Sequence, residues 1–289
     1  MNAIMKPGLC KTALHVLAGF AIWLGCQLLS GVSSLFSQPV VSIVVSSGIQ
    51  IVFTYWFLFL YCKKILHISM ADCRIKLSLA SPAWWACAIL LPVLVSLWFV
   101  VFVPGEFSFN RLNSAQLLQR VVTAVLATCI TASITEEMVF RGFVMRIIEA
   151  RGGRVCAILI PSVAFAAFHL IGISPGFSGF VQLMVAGTSV GIMFSLICYQ
   201  SGSVCPGIVV HGIWNLVMLG GIVDIGTSHS GTSILNYTIA TDSRLLTGGA
   251  FGIEASLPAL VGYWCVIAFL LLRQSKALRK GEGASALPQ

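Results

Sequence analysis

Three short stretches of this chain carry groups capable of acid–base chemistry inside apolar sequence. "SITEEMVFRG" (133–142) places Glu136 beside Glu137, with Arg141 four residues after the second. "FAAFHL" (165–170) carries His169, and "HGIWN" (211–215) carries His211 and Asn215. Ionisable groups at bilayer depth cost a few kcal/mol or more unless paired, so each is a functional-site candidate by default. Glu137 and Arg141, at i and i+4, can pair on one helix face, a lock that needs no catalysis to explain it. Glu136 is rotated by about 100° from Glu137 and has no local cation. An unpaired buried carboxylate suits a general base or acid. One histidine in a span is more often a packing residue than a catalyst, and His with Asn at i, i+4 also serves as interhelical glue. The relation between the stretches says more than any one of them.

The elements that must position these groups follow from composition. The chain has 289 residues, 58% hydrophobic and 9% charged, against about 25% charged in a soluble domain. With a mean hydropathy of +0.97, too little polar surface remains to cover a water-soluble globule. An all-α polytopic membrane protein is expected, one domain over 1–289 with about eight transmembrane helices. A span needs about 20 apolar residues, which places helices near 12–32, 40–62, 83–103, 117–139, 155–171, 180–199, 205–223 and 256–273. Gly152 and Gly153 make the natural turn between the fourth and fifth. Glu136 and His169 are equidistant from that turn, so helical arms carry both side chains to about 24 Å from it. His211, about 12 Å beyond a loop on the same side, comes to similar depth if the hairpin projects into the cytoplasm. The spacing thus predicts one site in the cytoplasmic half of the bilayer.

The net charge of +8 is a topology signal. With the N-terminus inside, Lys6, Lys11, Lys63, Lys64, Arg74, Lys76, Arg141, Arg146, Arg151, Arg154, Arg273, Lys276, Arg279 and Lys280 all fall in cytoplasmic segments. Only Arg111, Arg120 and Arg244 fall outside, as the positive-inside rule requires, so nucleic-acid binding is not needed. An even number of spans returns the C-terminal tail (274–289) to the cytoplasm. Lys6 and Lys11 precede the first span as in a signal peptide, but no A-x-A site follows, and the span is read as retained. The ten cysteines, without a C-x-x-C, read as small buried hydrophobes. The long connection 224–255 falls outside. Its Glu254 either complements the dipole at the start of the last helix or touches substrate, with the first reading favoured.

The three stretches resemble the motifs of the CPBP family, the CAAX proteases and bacteriocin-processing (Abi) enzymes. E-E-x-x-x-R matches Glu136, Glu137 and Arg141; F-x-x-x-H matches Phe165 and His169; H-x-x-x-N matches His211 and Asn215. All three occur in order across a core of 115–223. The resemblance implies an intramembrane endopeptidase with a central catalytic helix bundle, acting on a membrane-associated or lipidated peptide, whether CAAX-like, a leader or a C-terminal sorting signal, and sited in a bacterial inner membrane. It implies that Glu136 and His169 activate water, that His211 and Asn215 stabilise the oxyanion, and that Glu137, Arg141 and Phe165 shape the site. No cofactor is expected. The competing metalloprotease reading would bind zinc through Glu136, His169 and His211, but there is no H-E-x-x-H, and Asn is a poor zinc ligand and a good oxyanion donor. A non-catalytic immunity or membrane partner protein, and a proton-coupled transporter, are the alternative functions.

Overall fold

The structure, a computed structural model, describes residues 8–285, with side chains through Lys276. Lys6 and the side chains of Arg279 and Lys280, which enter the charge count above, lie outside the described residues. Among the described residues, seven helical elements of more than ten residues carry the chain: α1 (Leu9–Ser30), α2 (Pro39–Tyr61), α3 (Pro82–Phe102), α4 (Ser114–Phe168), α5 (Gly176–Ser201), α6 (Cys205–Met218) and α7 (Leu257–Ser285). Pro39 and Pro82 open their helices at the first turn, where a missing N–H costs nothing. Among the described residues, six helices are long and apolar enough to cross a membrane.

One of those six, α4, is two arms. At Gly153 the backbone takes φ 71°, ψ −175°, a conformation essentially reserved for glycine, and the chain doubles back. The rings of Phe140 and Phe165 consequently lie 5.3 Å apart, where a straight helix would separate them by about 37 Å. With the two arms and the 14-residue α6 counted, the bundle has eight helical passes. The first arm is not uniform: Thr123–Thr131 and Glu137–Val144 are wound as π-helix, with Ala132–Glu136 between them as α-helix.

The returning arm is held against α5 by small residues. A Cβ built on Gly187 would lie 2.8 Å from Ala166 Cβ, and one on Gly191 would lie 2.7 Å from Ser162 Cβ and 2.8 Å from its Cα. Two pairs spaced four apart therefore let the backbones approach closely, the mode by which helices associate where lipid removes the hydrophobic drive.

The two ends of the bundle differ. At one, the Arg74 guanidinium donates to Glu149 at 2.9 Å and lies over Tyr199, whose ring Arg154 also faces at 4.6 Å. The Val204 N–H donates to the Arg74 carbonyl at 3.0 Å, joining the 69–76 loop to the α5–α6 turn. At the other end lies a small sheet, an element the all-α expectation did not include. Strands β1 (Gly105–Phe109), β2 (Val223–Gly226) and β3 (Leu235–Ile239) lie in the order β1-β3-β2, with β3 antiparallel to β1 and parallel to β2. Phe107 pairs with Tyr237 across the ladder, and Tyr237 is buried, its hydroxyl donating to the Val103 carbonyl at 2.8 Å. The seventh span was expected to run to 223, but α6 ends at Met218 and β2 begins at Val223. All ten cysteines are free thiols.

Gly191→Val places branched methyls against the Ser162 backbone. It is expected to lower the unfolding free energy by about 1–3 kcal/mol or more, the cost of overpacking, read as a reduced thermal midpoint in detergent. Gly48→Ala, where a Cβ meets nothing within 4 Å, is the control and should leave the midpoint in place.

Candidate active site

The charged layer at the heart of the bundle comes from α4 and α6. Arg141 Nη1 donates to Glu137 Oε1 at 3.0 Å, and both side chains are 0% exposed. The guanidinium is caged by rings, 4.3 Å from the Phe165 centroid, 5.2 Å from Phe194 and 5.6 Å from Phe140, and each face exerts cation–π attraction. Glu137 Oε1 also lies 3.0 Å from His211 Nδ1. A carboxylate paired with arginine can only accept, so His211 Nδ1 is the protonated nitrogen. The imidazole stacks on Phe194, centroids 4.7 Å apart and 17° from parallel.

With its tautomer set, His211 turns Nε2 toward Glu136, 3.8 Å from Oε2. Glu136 therefore does not stand alone. One imidazole lies between the two carboxylates, Glu137 gripping it from behind and Glu136 in front. Glu137 presses on α6 so closely that a Cβ on Gly207 would lie 2.9 Å from its Oε2.

His169 is positioned by the end of its own helix. Its backbone N–H bonds the Ala166 carbonyl at 3.2 Å, which leaves the Phe165 carbonyl to accept the ring Nδ1–H at 2.7 Å. A carbonyl only accepts, so Nδ1 carries the proton and Nε2 keeps its lone pair. The F-x-x-x-H spacing thus has a double effect: the Phe165 ring covers Arg141 while its carbonyl orients His169. Asn215 donates one amide hydrogen to the Thr128 carbonyl at 3.2 Å, which orients the carboxamide.

Glu136, Phe165, His169, His211 and Asn215 line one cavity of about 340 Å³. Glu137 and Arg141 do not reach it and lie behind His211. Leu183 to Phe194 form the α5 wall, which centres the cavity on the middle of that helix. Phe251 and Glu254, from the 224–255 connection, complete it from the sheet end, with Trp214 and Tyr263. Sequence reasoning missed Trp214, Phe251 and Tyr263 and favoured a structural role for Glu254. The signal was local, the cluster of Gly248, Gly249 and Gly252, all with positive φ, which marks a tightly folded loop. Glu136 also borders a second cavity of about 380 Å³ between α1, α2 and α4, lined by Gln27, Ser42, Ser46, Gln50, Thr131 and Thr135. Among the described residues, no three His, Cys, Asp or Glu side chains group closely enough to hold a metal ion.

Long apolar helices around a buried carboxylate–imidazole cavity define an integral membrane protein built for chemistry within its bundle. Residues 118–217 match the family described as type II CAAX prenyl endopeptidase Rce1-like, in line with the resemblance that the three motifs carry. The match includes all seven motif residues and stops short of the sheet end and α7. No curated protein and no solved structure matches the chain.

Breaking the Glu137–Arg141 pair leaves an uncompensated buried charge. Glu137→Gln and Arg141→Met are each expected to cost about 3–5 kcal/mol, and the double variant less than the sum. Thermal unfolding of the three purified proteins measures the coupling, and strict additivity would dissolve the pair.

Proposed function

We propose that the chain is an intramembrane endopeptidase of glutamic type. It hydrolyses a membrane-associated or lipidated peptide, whether CAAX-like, a leader or a C-terminal sorting signal. The observation that carries this reading is the convergence of Glu136, His169, His211 and Asn215 on one cavity from the two arms of α4 and from α6. The family match of residues 118–217 supports proteolysis within the membrane.

In this mechanism the scissile peptide enters the cavity, and a water lies between the Glu136 carboxylate and the His169 Nε2 lone pair. As the water oxygen bonds the carbonyl carbon, its proton passes to that pair, the step in which general-base catalysis contributes 10²–10⁴-fold. The carbonyl oxygen becomes an oxyanion. The second amide hydrogen of Asn215, not engaged with Thr128, is the donor assigned to it, joined by His211 Nε2 only when that nitrogen also carries a proton, and preorganised donors give most where charge develops. Glu137 and Arg141 act from behind by holding His211 in one tautomer. The second, hydroxyl- and amide-lined cavity beside Glu136 is polar and roomy enough to hold water, which supports delivery of the co-substrate to that carboxylate. No metal takes part in these steps.

The basic end, with Arg74, Arg146 and Arg154, is proposed to face the cytoplasm of a bacterial inner membrane, which places the sheet and the 224–255 connection on the opposite face. Activity-reporter fusions at the 69–76 and 226–234 loops are expected to report opposite sides.

Glu136→Ala and His169→Ala are expected to abolish cleavage by the inserted, folded protein, and Asn215→Ala to slow it about 10²–10³-fold. Full activity in both of the first two variants would overturn the assignment. Metal analysis and chelation decide the catalytic type: activity is expected to persist without zinc, and stoichiometric zinc whose removal abolishes cleavage would make the enzyme a metalloprotease.

A further inference from the structure

We propose that Glu254 is a further catalytic residue, the carboxylic acid that protonates the leaving amine from the wall contributed by the 224–255 connection. The proposal rests on the hydrolytic reading above, which provides a base for the water and no acid for the amine.

The plainer role for Glu254, a carboxylate complementing the dipole of the last helix, does not survive the geometry. α7 begins at Leu257, and Ser256 Oγ accepts the Ala259 N–H at 3.3 Å, so the serine caps that helix. Glu254 faces the cavity shared with Glu136 and His169. Its segment is held in place rather than draped over the site. A Cβ on Gly248 would collide with the Gly252 carbonyl, so the turn closes only with glycine at that left-handed position. Phe251 meets the His169 ring edge-on at 5.6 Å. Tyr263 donates its hydroxyl to the Glu254 backbone carbonyl at 3.0 Å, and the Trp214 indole N–H bonds the Glu254 carboxyl.

The titratable groups facing Glu254 are Glu136 and His169 from the two arms of α4, His211 from α6 and Tyr263 from α7. Among the described residues lining the cavity there is no Lys or Arg. Burial pushes the Glu254 carboxyl up to about 8; the Trp214 bond opposes the shift and the Glu136 charge adds to it. The group is therefore an acid at neutral pH, facing a cavity that already holds a base. Two carboxyl groups whose environments separate them are the usual arrangement for acid and base in one site.

The step balances. Water loses one proton to the Glu136–His169 pair as its oxygen bonds the carbonyl carbon. On collapse the C–N bond breaks, and the Glu254 O–H proton passes to the departing nitrogen. The Glu254 carboxylate then recovers the proton held by Glu136 and His169, through water. One water and one amide are consumed, and one acid and one amine are released.

The test compares cells carrying the wild type, Glu136→Ala or Glu254→Gln by mass spectrometry of membrane-protein termini. Termini present in the wild type and missing with Glu136→Ala report the reaction. Glu254→Gln is expected to deplete the same termini about 10²-fold, the scale of lost acid catalysis. A second readout needs no substrate. The unfolded chain releases this proton above about pH 4.3, whereas the folded protein keeps it to about 8. Its stabilisation is thus full at low pH and is lost as pH rises through that window. Glu254→Gln should remove that part of the pH dependence of the thermal midpoint. Wild-type termini with Glu254→Gln would overturn the proposal while leaving the hydrolytic reading intact, and wild-type termini with Glu136→Ala would overturn both. If Glu254→Gln does not fold, Glu254→Met, similar in volume and without an acid proton, is judged by the same readouts. Failure of both to fold would mark Glu254 as structural and end the proposal.

Discussion

A fully buried guanidinium is the constraint around which this bundle is arranged. Arg141 is 0% exposed, and one carboxylate oxygen of Glu137 is its hydrogen-bonding partner at 3.0 Å. Among the described residues, its Nε and Nη2, and Glu137 Oε2, have no hydrogen-bond partner, so part of the compensation comes from three phenylalanine faces. Such a pair is weak evidence for stability, because apolar residues of equal volume often serve as well. Its consequence here is positional. Phe165 must bring the returning arm of α4 against Arg141, and Phe194 must bring α5. Gly207 must lack a side chain so that α6 can approach Glu137. Four helical segments are thereby registered to one another by one charge.

The reactive groups inherit that register at one remove. Glu136 follows from Glu137 by a single residue at the junction where an α-helical stretch passes into π-helix, a winding that recurs at functional sites. His211 receives its tautomer from Glu137, and His169 its tautomer from the carbonyl of the residue that covers Arg141. The small-residue contacts of Gly187 and Gly191 keep α5 close to the arm that ends in His169. The division of labour between the adjacent glutamates is therefore structural in origin, one anchored and dry, the other 17% exposed and bordered by two cavities.

The sheet end completes what the motif core leaves open. The family match ends at residue 217, whereas Phe251, Glu254 and Tyr263 close the cavity from beyond it. β3 pairs with β1, more than a hundred residues earlier, and the loop that follows carries Phe251 to the His169 ring. The connection 224–255 is thus a wall of the site, and the chemistry available there depends on a segment outside the motifs.

The sequence by itself determined the membrane class, the run of helical passes, the turn at Gly152–Gly153 and the Glu137–Arg141 pair. These rest on local quantities: apolar length, glycine at a left-handed position, and the i, i+4 spacing of opposite charges. It also marked Glu136, His169, His211 and Asn215, because polar groups in apolar spans are conspicuous. Only the tertiary structure decided that His211 lies between the two glutamates, that the cavity is centred on the middle of α5, and that a three-stranded sheet exists. It alone turned Glu254 from a helix-end charge into a cavity group, once Ser256 was seen to cap α7. Those outcomes depend on contacts between segments far apart in the chain, and periodicity or spacing within one segment carries no information about which distant backbone will meet it.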